Sequence, residues 1–207
     1  MEIKRAIECG EGIRDKISEI YVNGFYDVGL KHFSKDKSRI IEAYAPMFPI
    51  EHFLVAVIDS EIAGIIACLG KGNVCLNIDK NRFVEYFGIL KGLMAYFINK
   101  QYIKNLPVHT MDGETAVIEY VVTDPKYRGM GVASALIKYI FDLPEYNHFL
   151  IEVADTNPDA FELYKKMGFI ETHRKKFMPG SGINYWIHLK HSKLVTWGNE
   201  RIPDYNN

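Results

Sequence analysis

Residues 121–136 read VVTDPKYRGMGVASAL. An apolar, β-branched run ends at Asp124-Pro125, Arg128 precedes two glycines, and Val132, Leu136, Tyr139 and Ile140 then recur at helical spacing. The pattern predicts a strand over 115–122, a polar turn, and a helix opening near Gly129 or Gly131. The first turn of a helix leaves backbone N–H groups without intrahelical partners at its positive end. Glycines, lacking a Cβ, let an oxygen-rich anion reach those amides, and Arg128 adds a guanidinium at the rim. The stretch suits a phosphate or pyrophosphate. The same glycines also suit a plain tight turn with Arg128 solvated.

Three phosphate-loop readings compete. A P-loop needs Gly-Lys-Ser/Thr, which does not occur. A dinucleotide fingerprint needs glycines directly after a strand and an acid about 20 residues on. Glu152 stands at that spacing, but the third glycine is missing and TDPKYR separates strand from glycines. The third reading is a coenzyme A pyrophosphate loop.

Working outward, HFLIEVAD (148–155) reads as a strand and PDAFELYKKMG (158–168) as a helix. FIETHRKKF and INYWIHLKH read as two strands around a Pro-Gly-Ser-Gly turn. Upstream, MEIKRAIE alternates as a first strand, 13–28 and about 35–44 carry helical spacing, and HFLVAVIDSEIAGIIACLG is a hairpin broken at Asp59-Ser60-Glu61. Residues 80–104 form an aromatic-rich helix. This order predicts one α/β domain with a mixed sheet and a polar tail over 196–207.

The 207 residues are 48% hydrophobic and 25% charged with a net charge of −1, so no basic field points to nucleic acid. Cys9, Cys68 and Cys75 have no metal-ligand spacing, and their odd number suggests a reducing compartment. The N-terminus is too charged for a signal sequence, and no apolar run nears the roughly 20 residues of a membrane span. The expectation is a soluble cytoplasmic protein without a metal.

The loop VVTDPKYRGMGVASAL resembles the cofactor loop of the GNAT superfamily of N-acetyltransferases, Arg/Gln-x-x-Gly-x-Gly/Ala, at Arg128, Gly131 and Ala133. NPDAFELYKKMGF (157–169) is similar to the family's Asn-x-x-Ala-x-x-x-Tyr-x-x-x-Gly-Phe at Asn157, Ala160, Tyr164, Gly168 and Phe169. The clear resemblance spans 114–172. It implies a mostly antiparallel sheet of about seven strands with a central splayed parallel pair, 116–122 and 149–154, flanked by helices. The domain would run over 1–195 with a helical insertion near 78–106.

The resemblance also implies acetyl-CoA as co-substrate and direct acetyl transfer to an amine. The pantetheine arm would use the backbone of Val121 and Val122. The pyrophosphate would rest on the amides of Gly129, Met130, Gly131, Val132 and Ala133 beside Arg128, and Asn157 would touch the arm. Asn157 before Pro158 equally suits a helix N-cap. Tyr164 would be the acid that protonates the leaving thiolate; by spacing alone it is a core tyrosine beside Phe161 and Met167. Glu119 would be the base, its pKa raised in a partly buried cleft, unless it simply faces solvent.

The acceptor, a small-molecule or peptide amine, is not written in these motifs. The aromatics of 82–98 either complete a larger core or roof a pocket. The resemblance leaves a homodimer open. Two other function classes stand beside the transferase: a non-catalytic acyl-CoA-binding sensor on the same fold, and a nucleotide-binding oxidoreductase.

Overall fold

The computed structural model describes residues 1–176 and 182–193. Most of the Pro-Gly-Ser-Gly turn at 179–182 and the polar tail at 196–207 lie outside the described residues. Strand β1 (Glu2–Arg5) pairs with β2 (Phe53–Ile58). The first strand is shorter than its alternation predicts, and Ala6–Cys9 turn as a 3-10 helix. The reason is its partner: Arg5 lies opposite Leu54, and β2 starts one residue away at Phe53 after a 3-10 turn over Ile50–His52.

Helices α1 (Ile13–Phe25) and α2 (Lys37–Tyr44) follow β1, and Asp36 caps α2 by accepting from the Ser38 N–H. β2 turns into β3 (Glu61–Leu69) through Asp59 and Ser60, both with positive φ (49° and 65°), as a two-residue hairpin of right-handed twist requires. Helix α3 (Lys80–Asn105) is bent at Gly88, whose φ of 77° only glycine adopts readily. The bend lets Phe83 stack on Phe87 and Phe87 on Phe33. Then come β4 (Thr115–Thr123), α4 (Val132–Phe141), β5 (His148–Ala154), α5 (Pro158–Lys166), β6 (Ile170–Lys176) and β7 (Tyr185–Ser192).

The strands form one sheet in the order β1-β2-β3-β4-β5-β7-β6, in which β4 and β5 are the parallel pair. One face packs on α1, α2 and α3 through Ile17, Tyr44, Phe48, Phe53, Val55 and Phe83. The other packs on α4 and α5 through Leu136, Ile137, Phe149, Tyr164 and Leu189. Among the described residues no helix is long and apolar enough to cross a membrane.

Two features open the centre of the sheet. β4 and β5 pair from Thr115 with His148 to Ile118 with Ile151 and then part, while β5 stays paired with β7 through Ala154. On the other edge of β4, Ala67 lies opposite Glu119 and Ile65 opposite Val122, so Tyr120 and Val121 face Ile66 alone. That is a β-bulge, and Tyr120 takes a φ of 51° within it. A positive φ at a bulky residue costs about 1–3 kcal/mol. The Tyr120 ring is held against it by Tyr21 (4.9 Å), Phe25 and Phe53, and its hydroxyl accepts from the Cys75 thiol at 3.3 Å.

Candidate active site

The glycine loop is anchored from below and open above. Asp124 N–H donates to the Ala63 carbonyl, and the Asp124 carboxylate accepts from the Lys126 N–H, so Pro125–Tyr127 form one 3-10 turn. Tyr127 and Lys126 both donate to Glu61 Oε2 at 2.7 Å. Gly64 makes room for Val132, the first residue of α4: a Cβ there would lie 2.6 Å from Val132 Cγ1 and 2.9 Å from the Val122 carbonyl. The Tyr127 carbonyl accepts from the Met130 N–H, which closes the turn.

Gly129 (φ 78°) and Gly131 (φ 77°) are both left-handed, and a Cβ on either would meet nothing within 4 Å. The first helical bond of α4 runs from Ala135 N–H to the Gly131 carbonyl. Among the described residues nothing accepts from the N–H groups of Gly129, Gly131, Val132, Ala133 or Ser134. Arg128 is exposed beside them. Of the amides expected to cradle an anion, the structure leaves four free and uses that of Met130 internally.

Glu119 faces the α1–α3 side, directly where β4 leaves β5. It is 8% exposed, so the solvent-facing alternative does not hold. The Tyr102 hydroxyl, from the last turns of α3, donates to Glu119 Oε2. Burial pushes the Glu119 carboxyl up to about 8, against the lowering effect of the Tyr102 hydrogen bond and with a smaller push from Glu152. Tyr164 is 5% exposed and packs on Phe169 at 5.9 Å, so it is a core residue as its spacing predicts. Its hydroxyl has no hydrogen-bond partner among the described residues. Burial, and then the nearby Glu119 charge, hold its pKa above that of a free phenol. The two expected catalytic side chains therefore lie within electrostatic reach, although they come from elements 45 residues apart.

Val122 is buried and its neighbour α1 comes close at Gly24, where a Cβ would lie 2.6 Å from Val122 Cγ1. Beyond Ile118, neither Val121 nor Val122 pairs with β5, as expected of a splayed pair. The Asn157 side chain accepts from the Ala160 N–H at 3.2 Å, which makes it the N-cap of α5. The aromatics of α3 divide. Phe83 and Phe87 are core, whereas Phe97 is exposed, as are the aliphatic Leu90 and Ile98.

Sequence reading missed Tyr102 as a site residue and also a dyad across β5 and β7. Glu152 Oε1 lies 2.9 Å from His188 Nδ1, and the His188 ring stacks on His173 at 4.0 Å. Burial pushes His188 down to about 4, with His173 and Lys175 adding to it, so at neutral pH the imidazole is uncharged and the contact is not an ion pair. A signal for Glu152 existed: a carboxylate inside the apolar run FLIEVA, like Glu119 inside VIEYVV. The contacts of Tyr102 and His188 cross between elements and leave no local trace.

A raised pKa of this kind is also a stability statement. Glu119 binds its proton more tightly folded, at about 8, than unfolded, near 4.5. Its contribution is fully present below the unfolded value and is lost as pH rises toward the folded one, at up to about 1.4 kcal/mol per pH unit. The melting temperature of the protein is expected to fall between pH 5 and pH 8 by more than that of Glu119→Gln, which lacks this proton. Thermal melts of both proteins across that range check it; parallel curves contradict it.

The family model of the acetyltransferase (GNAT) family matches residues 15–169. An N-acetyltransferase of Staphylococcus aureus has a similar structure, with a TM-score of 0.61 at 23% identity over 92% of this chain and 100% of that one. A GNAT-family acetyltransferase of Bacillus cereus is similar with a TM-score of 0.53 at 14% identity, over 93% of this chain and 97% of that one. Both likenesses are of fold. An uncharacterized protein of Mycobacterium leprae is 31% identical over 80 residues, which is 36% of this chain and 22% of that protein. The matched span of the family model takes in the open glycine loop, the splayed strands and Glu119. The chain belongs to the GNAT family of acetyltransferases.

Proposed function

We propose that the protein is an acetyl-CoA-dependent N-acetyltransferase acting on a primary amine by direct attack. The observation that carries the reading is Glu119: a buried carboxyl with a proton affinity near neutrality, set where two parallel strands part. Among the described residues no cation pairs with it. An ammonium group entering beside it supplies the missing counter-charge, and a base of that pKa is suited to remove a proton near pH 7–8.

Toward β5 the backbone of β4 has no partner at Val121 and Val122 and is available to the pantetheine arm, since unpaired groups of this kind call for a partner. The free amides of Gly129, Gly131, Val132 and Ala133 suit the pyrophosphate, with Arg128 at the rim. Asn157 is committed to its cap, so any contact with the arm comes from its remaining amide group. Acetyl-CoA brings the activated thioester. The amine gives its proton to Glu119 and its nitrogen attacks the acetyl carbonyl. The C–N bond forms, the C–S bond breaks, and the thiolate takes the proton of Tyr164, whose hydroxyl is otherwise unengaged. The second N–H proton of the attacking nitrogen passes to the resulting phenolate, leaving a neutral amide.

The test is acetyl-CoA with a panel of aliphatic monoamines, polyamines, aromatic amines and peptides with free N-termini, read as thiol release. One acceptor class turning over supports the reading. Binding of acetyl-CoA with no acceptor in any class favours a non-catalytic sensor. Tyr164→Phe is expected to lower kcat by about 10²-fold with little change in acetyl-CoA affinity. Full turnover in that variant removes Tyr164 as the acid.

A further inference from the structure

We infer that Tyr102 is a positioning residue that fixes Glu119 by its hydroxyl, so that α3 is part of the active site and not only a cover for the core. The inference rests on Glu119 being the base. The geometry is specific. Tyr102 donates to Oε2, and Oε1 has no hydrogen-bond partner among the described residues, so one oxygen is tethered and the other is left for the amine's proton. The Tyr102 ring stacks on Tyr120 at 6.4 Å and 22°. Tyr120 is the bulge residue that follows Glu119 in the chain. The phenol thus grips the carboxyl and the backbone kink that presents it.

The groups around Glu119 come from every neighbouring element. Tyr21 is on α1, Cys75 lies after β3, Tyr102 is on α3, Glu152 is on β5 and Tyr164 is on α5. Burial raises the three phenols and the thiol, so all four stay neutral near pH 7 and only Glu152 can add charge. Of these groups Tyr102 is the one that donates a hydrogen bond to the carboxyl. Donation favours the ionised form. Burial and Glu152 oppose it. Tyr102 is therefore what keeps a buried carboxyl ionisable in the range where a base is useful.

The experiment is a pH titration of the side-chain carboxyl carbons of ¹³C-glutamate-labelled protein without ligand, with Glu119→Gln to assign the signal. Tyr102→Phe removes one oxygen and is expected to move the Glu119 midpoint upward by about one pH unit or more. The acidic limb of kcat/KM, once an acceptor is in hand, is expected to move by the same amount with acetyl-CoA affinity unchanged. An unmoved midpoint in folded Tyr102→Phe overturns the inference. Should that variant not fold, the Tyr102 ring carbon Cζ in the unaltered protein is the readout. It must titrate in step with Glu119, and a signal blind to that midpoint overturns the inference. The titration uses no acceptor and no turnover, so its failure is distinct from failure of the transferase reading.

Discussion

Glu119→Gln is expected to lower kcat/KM for acetyl transfer by about 10²-fold or more, within the range that a positioned acid or base contributes. Glutamine keeps the shape and can still accept from Tyr102, so packing at the parting of β4 and β5 is retained. What is lost is a site for the amine's proton and the charge that attracts an ammonium group. Acetyl-CoA affinity is expected to stay unchanged, because the free amides of the glycine loop lie on another element, at the start of α4. Steady-state rates beside a binding isotherm separate the two. Unchanged turnover assigns the base to another group.

Gly131→Asp is expected to weaken acetyl-CoA binding by about 10²-fold or more, which corresponds to about 2.7 kcal/mol. Two effects add. Gly131 sits at φ 77° and ψ 13°, a left-handed conformation that costs an L-residue about 1–2 kcal/mol. The new carboxylate also projects into open space before the α4 N-terminus, where nothing lies within 4 Å of the Cβ, and repels an anion there. Gly131→Ala separates these effects, since it brings the strain without the charge and is expected to lose far less affinity. Calorimetric titration of the three proteins with acetyl-CoA checks it. Equal affinity in Gly131→Asp contradicts the assignment of the loop.

Much of this was legible in the sequence because it is local. The loop and the motif from Asn157 to Phe169 are short, ordered arrays of residue types, and each forms a turn followed by a helix within a few residues. The hairpin followed from two apolar runs around a polar break, and the late strands from the Pro-Gly-Ser-Gly turn between them. What escaped was tertiary. Nothing in VIEYVV marks Tyr120 for a positive φ; an aromatic cluster drawn from α1, β2 and α3 holds it there. Gly88 and Gly92 look alike in sequence. Yet Gly88 bends α3, while Gly92 lets the two halves meet, since a Cβ on it would lie 2.5 Å from Val84 Cα. The bend and the length of α3 bring Tyr102 to Glu119, and no periodicity records that meeting.

The central claim is that acetyl-CoA binds where the glycine loop meets the parted strands. The most direct measurement is the thermal stability of the protein with acetyl-CoA, with free CoA and with NAD. A ligand at about a hundredfold over its Kd adds about 2.7 kcal/mol, which raises the melting temperature by several degrees. The account predicts that rise with acetyl-CoA and CoA and none with NAD. No rise with acetyl-CoA or CoA, or a rise with NAD alone, contradicts it.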